Sequence, residues 1–175
     1  MRRRTARLVI WAVFAATLLT IVVANHHGGD VGRGVASAWT GVLLLLIVMT
    51  IVRQILSVRQ VTLQSIFGAI SAYLIIGLMY SAFYAAMYYL HDRDFFAGGQ
   101  PGNGSNFQYF SFTTLTTLGY GDFTAAHSEG RAVAMLEAMT GQIFLATLVA
   151  KLVASFRPAA APPRGPAEGA GGGES

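Results

Sequence analysis

The sequence predicts an all-α membrane protein with four transmembrane helices and one short helix that enters the membrane and turns back. Three observations carry that expectation. Only 11% of the residues are charged and 54% are hydrophobic, whereas a soluble domain carries about 25% charged residues. The apolar residues are gathered into four runs, each near the roughly 20 residues that a helix needs to cross hydrocarbon. Between the third and fourth runs lies a stretch too polar to span, 91–129, with a short apolar and hydroxyl-rich segment at 107–116.

The first run, 8–25, has two readings. It is long enough for a helix, and its basic start with Val22-Val23-Ala24 also fits a signal peptide and its cleavage site. The second run, 36–56, has Trp39 near one end and Arg53 near the other. The third run is 65–90 and the fourth is 131–156. The tail, 157–175, is mostly Pro, Gly and Ala and is expected to be disordered, because such a composition buries no core. The organisation read from these boundaries is a peripheral helix pair in 1–64, a second unit in 65–156, and a cytoplasmic tail in 157–175.

Orientation follows from the basic residues. Arg2, Arg3, Arg4, Arg7, Arg53, Arg59, Lys151, Arg157 and Arg164 fall on one side of the spans, and Arg33, Arg93 and Arg131 on the other. The positive-inside bias puts both termini in the cytoplasm and 91–129 outside, in a multi-pass protein of the plasma membrane. The same distribution accounts for the net charge of +4 without a nucleic-acid partner. With no cysteine in the chain, disulfides and thiolate metal sites are excluded.

The outer stretch holds the chemistry. Ser105 or Asn106 is placed to cap a helix over 107–116. Thr117-Leu118-Gly119-Tyr120-Gly121-Asp122 follows. Non-helical backbone at membrane depth is tolerated only when it is buried in protein or lines a watery cavity, so this segment should line something. Gly119 and Gly121 can take backbone angles closed to other residues. Alternating them with Leu118 and Tyr120 lets successive carbonyls point the same way. The dipole of the short helix would aim its negative end below the segment, favouring a cation.

The run from Thr113 to Asp122 resembles the signature of potassium channels, and most closely the bacterial ion-channel type with two helices around one pore loop. The resemblance covers about 65–156 and extends to Gly130-Arg131 and Gly141. It implies a potassium-selective channel in the form of a homotetramer, not an enzyme, needing no cofactor beyond the permeant ion. Four filter strands would stack rings of oxygen that replace the hydration shell of K+. The ions would sit at Thr117, Leu118, Gly119 and Tyr120, with the strand ending at Gly121. The resemblance also implies filter support from Asp122, Tyr109, Thr113 and Glu137, with Tyr109 bonding Asp122. It makes Gly141 a hinge of the inner helix and turns Leu145 and Val149 toward the cavity.

Two departures stand out. Leu118 occupies the place of the usual valine, and Tyr109 and Phe110 stand where many members carry tryptophan. Phe110 cannot donate a hydrogen bond to Tyr120. A non-selective cation channel or a non-conducting membrane subunit would share the fold. Gly119-Tyr120-Gly121-Asp122 also matches the Gly-x-Gly-Asp pattern of intramembrane aspartyl proteases. That chemistry needs two carboxylates sharing a proton, yet Asp30, Asp92 and Asp94 lie in expected outer loops.

Other residues have plainer readings. Glu137 is the acid inside an expected span, and ionisable groups there are functional suspects; a packing carboxyl is the alternative. Gly141 could equally be a close-packing residue. Lys151 is expected to snorkel to the inner surface. His26, His27, His91 and His127 read as solvated outer residues or pH sensors. Tyr80, Tyr84 and Tyr88 read as an interfacial belt or helix packing. Asp92, Asp94 and Glu129 are placed to enrich cations at the mouth, and Asn103-Gly104-Ser105 is a glycosylation sequon.

Overall fold

The computed structural model describes residues 15, 16, 20, 22, 29–57, 62–91 and 93–155. The first expected span, 8–25, lies outside the described residues except for those first few positions, and so does the tail beyond 155. Four helices follow one another in the described chain: α1 (Asp30–Ser57), α2 (Leu63–His91), α3 (Gly104–Leu115) and α4 (Ser128–Ser155). Asp30–Ile55, Leu63–His91 and Ser128–Ser155 are each long and apolar enough to cross a membrane. The 12 residues of α3 reach only about 18 Å at 1.5 Å per residue, so α3 cannot span.

α1 begins at Asp30, earlier than the expected 36. An acid in the first turn complements the helix dipole, and Arg33 pairs with Asp30 at 3.8 Å on the exposed surface. Gly32 and Gly34 obscure this turn in the sequence. α1 lies antiparallel to α2, with Gly34 against Leu90 and Gly41 against Phe83. The small residues let the two backbones approach where no hydrophobic effect drives helices together.

Two packed clusters fix α3 in place. Tyr84, Phe95, Phe96, Phe107, Phe110 and Ala125 form the first, under the segments that flank α3. Its rings meet mainly edge to face, as in Phe95–Phe107 at 5.4 Å and Tyr84–Phe110 at 5.0 Å, an arrangement worth about 0.5–1.5 kcal/mol per pair beyond area burial. Val48, Ile76, Met79 and Leu115 form the second, at the other end of α3. An antiparallel bridge between Phe96 and Ala125 ties the segment before α3 to the one after it. Its bonds run from Ala97 N to Thr124 O and from Ala126 N to Phe95 O, both at 2.9 Å. Arg131 secures the same turn from α4, donating through Nε to the Ala125 carbonyl at 3.0 Å.

Candidate functional site

The site begins where α3 starts. The N-cap is Asn103, ahead of the expected Ser105 or Asn106. Its Oδ1 accepts from Asn106 N at 2.9 Å, the bond that a short amide makes from the N-cap position. Asn106 instead donates through Nδ2 to the Pro101 carbonyl at 2.9 Å, folding the approach chain back on the helix.

α3 ends in a Schellman motif. Thr117 N donates to Thr114 O at 2.9 Å and Leu118 N donates to Thr113 O at 2.8 Å. That pattern needs a left-handed residue just past the C-cap, and here it is Thr117, with φ 57°. A β-branched residue in that region costs about 1–3 kcal/mol, a strain the surrounding bonds must hold. Gly119 N also donates to Thr113 O, at 3.1 Å. One carbonyl of α3 thus grips the first half of the segment.

Left-handed backbone then recurs at every second residue. Gly119 has φ 52° and Gly121 has φ 82°, while Leu118 and Tyr120 between them are not in the positive-φ region. At the far end Asp122 is held twice. Tyr109 on α3 donates its hydroxyl to Asp122 Oδ2 at 2.8 Å, and Gln100 Nε2 donates to the Asp122 carbonyl at 2.6 Å. The bond to Asp122 raises the Tyr109 phenol above its ordinary value of 10.0. The strand between these anchors is bare: Leu118 is 56% and Tyr120 is 70% exposed.

Behind α3 sits a buried carboxyl. Glu137 of α4 is 0% exposed. It accepts from the Tyr84 hydroxyl of α2 at 2.5 Å and is in short contact with Ser111 Oγ of α3. Ser111 Oγ also reaches the Gly77 carbonyl of α2 at 2.7 Å. One carboxyl therefore joins the three helices around the site. Below the strand, Gly141 packs on the last residue of α3. A methyl group there would collide with the Leu115 carbonyl oxygen and stand 3.0 Å from Leu115 Cδ1. The same oxygen accepts from the Tyr73 hydroxyl at 3.1 Å. This approach brings the next residue of α4, Gln142, under the strand, where its Nε2 lies 3.4 Å from Thr117 Oγ1.

A family model described as ion channel matches residues 70–157, half of the chain. The chain belongs to the ion channel family. No curated protein and no solved structure matches it. The matched stretch runs from within α2 past the end of α4, so α3 and the whole 117–122 segment belong to the ion-channel region.

Within this ion channel the sequence-expected residues fall into three places. Thr117 to Gly121 form the exposed strand, with Asp122, Tyr109 and Thr113 bonded at its two ends. Glu137 stands behind α3, bonded to Tyr84 and Ser111. Gly141 is buried against Leu115, whereas Leu145 and Val149 are exposed farther along α4. The tyrosine row of α2 packs inward: Tyr84 meets Glu137, Tyr80 Oη lies 3.0 Å from Thr140 Oγ1, and Tyr88 packs on Phe107. Glu129 pairs with Arg93 at 3.3 Å, while Asp92 lies outside the described residues. Among the described residues no group of His, Asp and Glu could hold a metal ion. Sequence reasoning missed Ser111, Gln142 and the left-handed Thr117. Only Gln142 carried a signal, as an amide in an apolar helix next to the glycine.

Proposed function

We propose that four copies of this chain form a potassium-selective channel in which the peptide oxygens of 117–120 stack as rings around one axis. The observation that carries the reading is the recurrence of left-handed φ at Thr117, Gly119 and Gly121. Such alternation turns successive carbonyls to one side, and rings of carbonyls can replace the water around K+. The Thr117 hydroxyl adds the innermost ring. The exposure of Leu118 and Tyr120 supports assembly, because non-helical backbone at membrane depth must be covered by protein or line a watery cavity. One chain supplies one strand, so a closed cyclic tetramer is the arrangement that completes the rings.

In this reading 65–156 is the pore unit, 1–64 is a peripheral helix pair and 157–175 is a cytoplasmic tail. The positive-inside bias puts both termini in the cytoplasm of a plasma-membrane protein. The negative end of α3, at Leu115 and Thr116, favours a cation below the filter. Tyr109, Asp122, Thr113 and Glu137 hold the filter from behind. Gly141 sets the position of the inner helix against the filter base and gives it a bend point. Leu145 and Val149 line the cavity. Conduction is passive and needs no cofactor.

The test is purified protein in liposomes with mixed K+ and Na+. The reversal potential is expected to follow the potassium gradient, and Gly119→Ala, which forces a side chain onto a residue at φ 52°, is expected to abolish selective current. A wild-type reversal potential midway between the two gradients would favour the non-selective cation channel that Leu118 leaves open.

A further inference from the structure

We propose that the groove between α1, α2 and α4 holds one acyl chain of an anionic phospholipid, with the head group at Lys151. The groove has a volume of about 440 Å³, within the roughly 300–1,000 Å³ range of small-molecule sites. α2 forms its floor at Ala69, Ile76 and Met79, and the walls come from α1, Leu45 to Ile55, and α4, Thr140 to Lys151.

Length, polarity and direction select the occupant. From Leu45 to Ile55 the groove follows α1 for about 15 Å at 1.5 Å per residue, which is half of the roughly 30 Å hydrocarbon core and so the depth of one leaflet. At the mid-membrane end the hydroxyls of Tyr80 and Thr140 bond each other at 3.0 Å. That end therefore presents a surface suited to a chain terminus.

The membrane-surface end is different. Lys151 Nζ donates to the Ile55 carbonyl in the last turns of α1, where the negative end of the helix holds a cation. An ammonium has three N–H donors, so one bond to Ile55 leaves two for a phosphate. An apolar channel that ends in a cation matches a lipid tail with an anionic head.

The groove also faces away from the filter. Thr140, Phe144, Thr147 and Lys151 make one stripe of α4. Gln142, which reaches Thr117, lies with Leu145 and Val149 on a stripe about half a turn round the helix, at 3.6 residues per turn. A lipid in the groove therefore touches the inner helix from the side opposite the conduction path. The proposal requires membrane embedding only and stands whether or not the filter proves selective for potassium.

The experiment is thermal unfolding of the full chain in detergent, titrated with phosphatidylglycerol or with phosphatidylcholine of the same chains. Phosphatidylglycerol is expected to stabilise at lower concentration. Lys151→Gln should weaken its apparent affinity about fivefold, the contribution of one basic residue near a charged head group, and Lys151→Arg should restore it. Thr147→Trp, filling the groove from the α4 wall, should remove stabilisation by both lipids. If that variant fails to fold, Leu45→Trp fills the groove from α1. Equal titration by the two lipids, an unchanged response in Lys151→Gln, or full stabilisation of a groove-filled variant that folds would each overturn the proposal.

Discussion

Replacing Glu137 with Leu tests the carboxyl that joins α2, α3 and α4. Leu keeps most of the volume, so the cost comes from hydrogen bonds and little from a cavity. Tyr84, itself 0% exposed, loses the acceptor 2.5 Å from its hydroxyl. A buried hydroxyl left without a partner costs about 1–3 kcal/mol. Ser111 keeps the Gly77 carbonyl at 2.7 Å, so its loss is one interhelical contact, averaging about 0.6 kcal/mol in a membrane protein. The apolar side chain recovers part of this by sparing the burial of a carboxyl. The expected net destabilisation is therefore about 2 kcal/mol. Glu137→Gln should stay within about 1 kcal/mol of the parent. Its carbonyl accepts from Tyr84, and its amide donates to Ser111, whose single proton is then free for Gly77. Denaturant unfolding in detergent, followed by helical circular dichroism, reads both values. The decisive measurement is a double-mutant cycle: in a Tyr84→Phe background Glu137→Leu should lose most of its cost. A cost unchanged by Tyr84→Phe would refute the reasoning, as would a Leu variant as stable as the parent.

Other substitutions separate the remaining contacts. Gly141→Ala gains roughly 1 kcal/mol of helix propensity but overpacks the Leu115 carbonyl at about 1–3 kcal/mol; net destabilisation in the same unfolding assay is expected, and a stabilised variant would show that α4 has room to spare there. Tyr109→Phe removes the bond to Asp122 and should speed the decay of current during sustained conduction while leaving the reversal potential unchanged. Gln142→Ala should alter barium block severalfold in flux assays. That effect should persist in Thr117→Ser, which keeps the hydroxyl, and vanish in Thr117→Ala; persistence in both would show that Gln142 acts elsewhere.

Much of the architecture was legible because membrane spans announce themselves by length and apolarity. The third and fourth expected runs differ from α2 and α4 by only a few residues at their ends. The strand was legible for a different reason. Alternating glycines are a local signal of unusual backbone, and φ at Gly119 and Gly121 follows from the missing side chains. The Tyr109–Asp122 bond was anticipated through family resemblance. What escaped was fixed by tertiary contact. Thr117 carries no intrinsic preference for φ 57°; it takes that value because a helix ending there must turn, and Thr113 and Thr114 hold it. Asn103 wins the cap over Ser105 and Asn106 because the chain from Pro101 folds back onto the helix. Ser111 reads as an ordinary hydroxyl until α2 and α4 close around it. The partners of Glu137 are far away in sequence, and no local periodicity points to them.

The strand proposed as the filter is fastened at both extremities by its own chain: Thr113 holds Leu118 and Gly119 at one end, and Tyr109 with Gln100 holds Asp122 at the other. In the proposed tetramer each chain would therefore bring its own quarter of the sieve already braced at both ends. Ordering a loop at the moment of association costs affinity, and the bonds at the two ends reduce what is left to be ordered then. Docking in the proposed tetramer then has only to bring four rigid staves into line, as a cooper closes a barrel.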